Sequence, residues 1–126
     1  MKKQAGVGLR ITMKLAAFGT AITFAGLAFA HVFPQKQEPG AGATVASPPA
    51  VTIKFDGPLE PAFSTLTVTD ASGKQVNTAK ASVDPQRPTV MSVALPALTA
   101  GRYAVHWAAV ASDGHRTHGD YQFNVK

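Results

Sequence analysis

The chain has 126 residues and no cysteine, so it can form neither a disulfide nor a thiolate metal ligand. Its formal charge of +5 is unevenly placed: Lys2, Lys3, Arg10 and Lys14 precede residue 31, while all seven Asp and Glu follow it. Residues 31–126 are therefore close to neutral and carry no basic stripe, which leaves a nucleic-acid-binding role without support.

The basic start is followed by an apolar run from Leu15 to Leu27 and then by Ala28-Phe29-Ala30. This is the n-region, h-region and small-x-small order of a helical signal peptide. The apolar run is too short for the roughly 20 residues that span a bilayer. The expected organisation is a leader over 1–30, cleaved after Ala30, and one exported domain over 31–126 that does not span the membrane.

Beyond His31 the apolar pattern has period 2. Pro34 and Pro39 bracket a segment that fits an edge strand better than a central one. Gly40-Ala41-Gly42 and Ser47-Pro48-Pro49 flank a short segment around Thr44-Val45. Val51, Ile53 and Phe55 then alternate with Thr52 and Lys54 until Asp56-Gly57-Pro58 stops the strand. Leu66 and Val68 alternate with threonines, and Asp70-Ala71-Ser72-Gly73 turns the chain towards Gln75-Val76. Asp84-Pro85-Gln86-Arg87-Pro88 precedes the set Met91, Val93, Leu95. Tyr103, Val105 and Trp107 form the next set, and Tyr121, Phe123 and Val125 the last. In each run one face is apolar, which predicts half-buried strands. Short strands divided by turns, with no helical stretch after the leader, predict an all-β antiparallel sandwich.

All four histidines follow the leader. Cleavage after Ala30 would make His31 the first residue, and its amide would become a free amine. An amine and its own imidazole Nδ1 close a six-membered chelate ring on a metal. An internal histidine must first lose a tightly held amide proton to do so. Asp113-Gly114-His115 offers a carboxylate and a second imidazole. In an extended segment residues two apart point the same way, although Asp-Gly is also a common turn. Two imidazoles, an amine and a carboxylate suit tetragonal Cu(II). The first strand of a sandwich commonly lies near the last ones, which would bring the two ends together. Alternation sends His106 to the solvent face opposite Val105 and Trp107. His118, beside Gly119, is surface decoration unless a turn at Gly119 swings it towards the metal. Met91 is in phase with core positions and reads as core.

Several blocks resemble the CopC-type periplasmic copper-resistance proteins. They are His31-Val32-Phe33 with Glu38-Pro39-Gly40, and the stretch Phe55-Asp56-Gly57-Pro58-Leu59-Glu60-Pro61. The most specific is Gly101-Arg102-Tyr103-Ala104-Val105-His106-Trp107 followed by Ser112-Asp113-Gly114-His115, with Gly119 and Tyr121-x-Phe123-x-Val125 to close. The resemblance covers essentially all of residues 31–126. It implies an immunoglobulin-like Greek-key sandwich that binds one Cu(II) per monomer through His31, Asp113 and His115. It also implies a CopD-type inner-membrane partner. Some members carry a Cu(I) site in a methionine-rich loop, but here Met91 is the sole methionine after the leader.

The expectation is a non-enzymatic periplasmic Cu(II)-binding protein for copper homeostasis or resistance. Two rivals stand beside it. An N-terminal histidine with a second histidine also forms the copper brace of oxidative polysaccharide-cleaving enzymes. A metal-free immunoglobulin-like interaction module would need none of these donors.

Overall fold

The structure is a computed structural model and describes Gly6, Gly8, Gly19 and residues 31–126. Apart from Gly19, the apolar run Leu15–Leu27 and the proposed cleavage site at Ala30 lie outside the described residues. Among the described residues no helix is long and apolar enough to cross a membrane.

Eight strands follow in order: β1 (Pro34–Glu38), β2 (Thr44–Val45), β3 (Ala50–Phe55), β4 (Thr65–Asp70), β5 (Ser82–Asp84), β6 (Arg87–Ala94), β7 (Gly101–Val110) and β8 (Arg116–Val125). They form two four-stranded sheets, ordered β1-β3-β6-β5 and β2-β8-β7-β4. The chain changes sheet after β1, β2, β3, β4 and β6, which makes the architecture a Greek-key sandwich rather than two meanders. All pairings are antiparallel except β2 with β8, which run parallel over Thr44–Val45. The fold is thus the all-β sandwich expected, with one short parallel pair. Pro34 and Pro39 lie within and just after β1, an edge strand.

The period-2 residues fill the space between the sheets. Val51, Ile53, Phe55, Val68, Met91, Val105 and Phe123 are wholly buried. Leu66, Val93, Tyr103, Trp107, Tyr121 and Val125 complete the same core. Three details depart from the sequence expectation. β5 has only three residues and no apolar alternation to announce it. The strand holding Met91 begins at Arg87, so Pro88 lies inside it, before β6 pairs with β3, where no ladder bond to β3 is lost. Alternation also breaks at the end of β7, where Trp107 to Val110 are all buried. The segment from Leu59 to Ser64 lies across that end: Glu60 N donates to Val110 O at 2.8 Å, and Val110 N donates to Ser64 Oγ at 3.1 Å.

Candidate metal centre

β7 and β8 are joined by the turn Ala111–His115. Its backbone closes through Ala111 N to His115 O and Gly114 N to Ala111 O, both 2.9 Å. Gly114 takes φ +87°, a left-handed conformation that glycine adopts without steric cost. The Asp113-x-His115 pair is therefore on a hairpin turn rather than an extended segment. The two side chains meet for a different reason than parity. Asp113 Oδ1 accepts the His115 backbone N–H at 3.0 Å, an Asx-type closure, while Oδ2 lies 2.8 Å from His115 Nδ1.

His31 arrives from the other end of the chain. β1 lies in the opposite sheet from β8, so the first and last strands meet across the sandwich rather than through a ladder, with the Tyr121 hydroxyl on β8 donating to Pro39 O just after β1. The residues just before β1 bring His31 to the turn. Val32 O accepts a hydrogen bond from Thr117 Oγ1 at 2.6 Å, and Phe33 N donates to Asp56 Oδ1 at 2.8 Å. The His31 ring then sits with its centroid 5.3 Å from that of His115, tilted by 46°. A metal–nitrogen bond of roughly 2 Å puts an imidazole centre about 3 Å from the ion, so two rings on one ion have centroids about 4.5–6 Å apart. The observed spacing falls inside that range. Phe33 lies stacked 6.2 Å from His31 and is 53% exposed, so the face of the site is aromatic on one side and open to solvent. Among the described residues no ready-made cluster of three His, Cys, Asp or Glu side chains stands at metal-binding spacing. What the fold brings together is two imidazoles, with one carboxylate on the second.

The other two histidines lie elsewhere. His106 faces away from the core, as alternation requires, and is tied on both ring nitrogens. Nδ1 meets Asp120 Oδ1 at 2.5 Å and Nε2 meets Thr69 Oγ1 at 3.0 Å. His118 is exposed on β8 opposite Ala108. Gly119 beside it is not at a turn. It sits in mid-strand, paired with Trp107, and a Cβ there would come within 2.6 Å of the indole. The chain at Gly119 is therefore pinned under Trp107, and the turn imagined there does not exist. Sequence reasoning did not pick out Thr117 or Asp56. Asp56 had registered only as part of a turn signal, and an isolated threonine on a strand carries no signal at all.

A surface hollow of about 500 Å³ runs along β4 beside Ser64, Leu66 and Asn77, and contains none of the candidate ligands. A single ion needs no such cavity, so that hollow does not compete as its site.

Comparison with known proteins shows the family of the chain. The CopC domain matches residues 35–126, which takes in Asp113 and His115 and begins four residues after His31. Protein YobA of Escherichia coli K12 is 36% identical over 101 residues, covering 78% of this chain and 81% of YobA. Copper transport protein CutJ of Bacillus subtilis is 33% identical over 99 residues, 77% of this chain, but the match spans only 18% of CutJ. The crystal structure of PcoC, a methionine-rich copper resistance protein from Escherichia coli, superposes with a TM-score of 0.70 at 33% identity. That match covers 77% of this chain and all of PcoC. With a family match over most of its length and relatives above 30% identity, the chain belongs to the CopC family.

Proposed function

We propose that the chain, once cut after Ala30, is a periplasmic Cu(II)-binding protein that holds one copper ion per monomer and serves copper homeostasis or resistance. The observation that carries this reading is the meeting of His31 with His115 at 5.3 Å, with Asp113 bonded to His115. The donors are the amine and imidazole of His31, the imidazole of His115 and the carboxylate of Asp113. Three nitrogens and one oxygen fit the tetragonal preference of Cu(II). For Asp113 and His115 both to ligate, their 2.8 Å pair parts and the ion takes the place of the proton between them. Asp113 then fills the fourth equatorial position, which makes a closed site suited to holding a metal rather than to oxidative chemistry. PcoC is described as a copper resistance protein and CutJ as a copper transport protein, and both support copper as the cargo. In CutJ the matching segment is a small part of a longer copper transport protein. Delivery to a membrane partner of CopD type is the destination proposed from the family resemblance.

The test is Cu(II) titration, with electron paramagnetic resonance, of protein that begins at His31. One equivalent with an axial, nitrogen-coupled signal is expected. A version with one extra residue before His31 should lose most of its affinity, because the amine becomes an amide. Zero stoichiometry refutes the reading, and equal affinity of the two forms removes the amine from the donor set.

A further inference from the structure

We propose that Thr117 and Asp56 are positioning residues that clamp residues 32 and 33, so that His31 is held against the Asp113–His115 turn. This rests on the copper site proposed above.

Chain ends ordinarily fray unless something ties them down. Here Val32 O accepts from the buried Thr117 hydroxyl at 2.6 Å. Phe33 is held on both backbone groups by one residue: its N–H donates to Asp56 Oδ1 at 2.8 Å and its carbonyl accepts from Asp56 N at 3.0 Å. The Val32 side chain is 2% exposed and packs on Gly57, where a Cβ would lie 2.9 Å from Val32 Cγ1. Thr117 belongs to the start of β8, two residues after His115, and Asp56 follows directly on β3 of the other sheet. The clamp therefore fixes the N-terminal segment to both sheets, and one of its jaws shares a short stretch of strand with a proposed ligand. Only His31 stands between the clamp and the proposed cleavage site. A residue spans about 3.3–3.6 Å, so the amine's position is set to within one residue by where the clamp grips. A donor already ordered by the fold loses less conformational freedom when the ion binds.

The experiment uses protein beginning at His31, with Cu(II) competition titrations and nitrogen couplings for T117V and D56A. T117S and D56N keep a hydroxyl and a carbonyl oxygen in place, and serve as rescues. N77A removes the acceptor of the Val68 N–H on β4 and serves as a stability control away from the site. T117V and D56A should each weaken Cu(II) binding about 10–100-fold, the range usual for groups that orient metal ligands. They should also lose a coupled nitrogen. T117S and D56N should recover most of the affinity, while N77A melts earlier and binds like wild type. Contacts between the His31 and His115 rings, read by NMR in metal-free protein, should be present in wild type and lost in T117V and D56A. Wild-type affinity and retained ring contacts in both variants overturn the clamp. D56N failing as badly as D56A overturns the assignment of Asp56 to it. If wild type binds no copper while the ring contacts still depend on Thr117, the copper reading falls and the positioning stands.

Discussion

Replacing Gly119 with alanine tests how β8 is held against β7. An added Cβ would lie 2.6, 2.8 and 3.0 Å from Cζ2, Cε2 and Nε1 of Trp107, far inside van der Waals contact. The indole has little room to retreat. It is 8% exposed and packs edge-on to the buried Phe55 ring at a centroid distance of 5.3 Å. Gly119 has no positive φ, so alanine carries no backbone penalty there and, without the clash, would stabilise by roughly 0.4–1 kcal/mol. The clash reverses that sign, and overpacking of this kind costs about 1–3 kcal/mol. A net loss of about 2 kcal/mol lowers Tm by roughly 10 °C in a domain of this size. Thermal and urea unfolding, followed by the fluorescence of the single tryptophan, measure it directly. A double-mutant cycle with Trp107→Phe, followed by circular dichroism because that variant has no tryptophan, should show most of the loss relieved, since the nearest clashing atoms belong to the larger ring. A G119A protein that is as stable as wild type, with unchanged tryptophan emission, would refute the packing argument.

Three further outcomes follow from the same structure. Met91 is fully buried, so Met91→Leu should cost less than about 1.5 kcal/mol, and Cu(I) binding in chelator competition should be weak in wild type and unchanged in the variant. Burial pushes the Tyr121 phenol up to about 12, and its hydroxyl donates to Pro39 O at 2.8 Å. The unfolded phenol ionises from about pH 10 while the folded one stays neutral to about pH 12, so stability is full below pH 10 and falls between those values. Denaturation midpoints across that range should show a shallower decline in Tyr121→Phe. His106→Ala and His118→Ala should leave Cu(II) affinity as in wild type, because His106 is committed to Asp120 and Thr69 and His118 faces solvent on β8.

The strands that make the core were legible because burial between two sheets enforces a period of two, and Val51-Ile53-Phe55 or Tyr121-Phe123-Val125 can satisfy it in no other way. β5 was not legible, since a three-residue edge strand buries too little to leave a pattern. The end of β7 misled for the opposite reason: a loop covers its outer face, so Ala108 and Val110 are buried where alternation predicts exposure. At the candidate site, His31, Asp113 and His115 could be named from their chemistry. The way they meet could not, because it depends on a glycine turn at Gly114 and on Thr117 reaching Val32 across 85 residues of sequence. Hydrogen bonds from a lone threonine or aspartate have no periodicity to betray them. The alternative of a turn at Gly119 fails because glycine marks both flexibility and close approach, and the position of Trp107 shows that close approach applies.

In the proposed site Asp113 is the donor that would decide whether copper is held or reacts. With the His31 amine, two imidazoles and this carboxylate all bound, the equatorial plane of Cu(II) would be full, leaving oxygen only the weak axial positions. Asp113→Ala removes the fourth donor and also the acceptor that shapes the turn through the His115 backbone N–H. Two effects should therefore appear together. Cu(II) affinity should fall by more than the ~10–100-fold typical of groups that only orient ligands. The copper that remains bound should have an open position, and ascorbate-driven peroxide production per bound ion should rise above the wild-type rate. Asp113→Asn separates the roles, because its amide oxygen can still accept the His115 N–H while its donor strength to the metal is much reduced. It should keep the turn, as judged by NMR shifts of residues 111–115, yet lose affinity almost as far as the alanine variant. If wild type already makes peroxide as fast as Asp113→Ala, the equatorial plane is open, Asp113 is not a ligand, and the site is built for oxidative chemistry rather than for carrying copper.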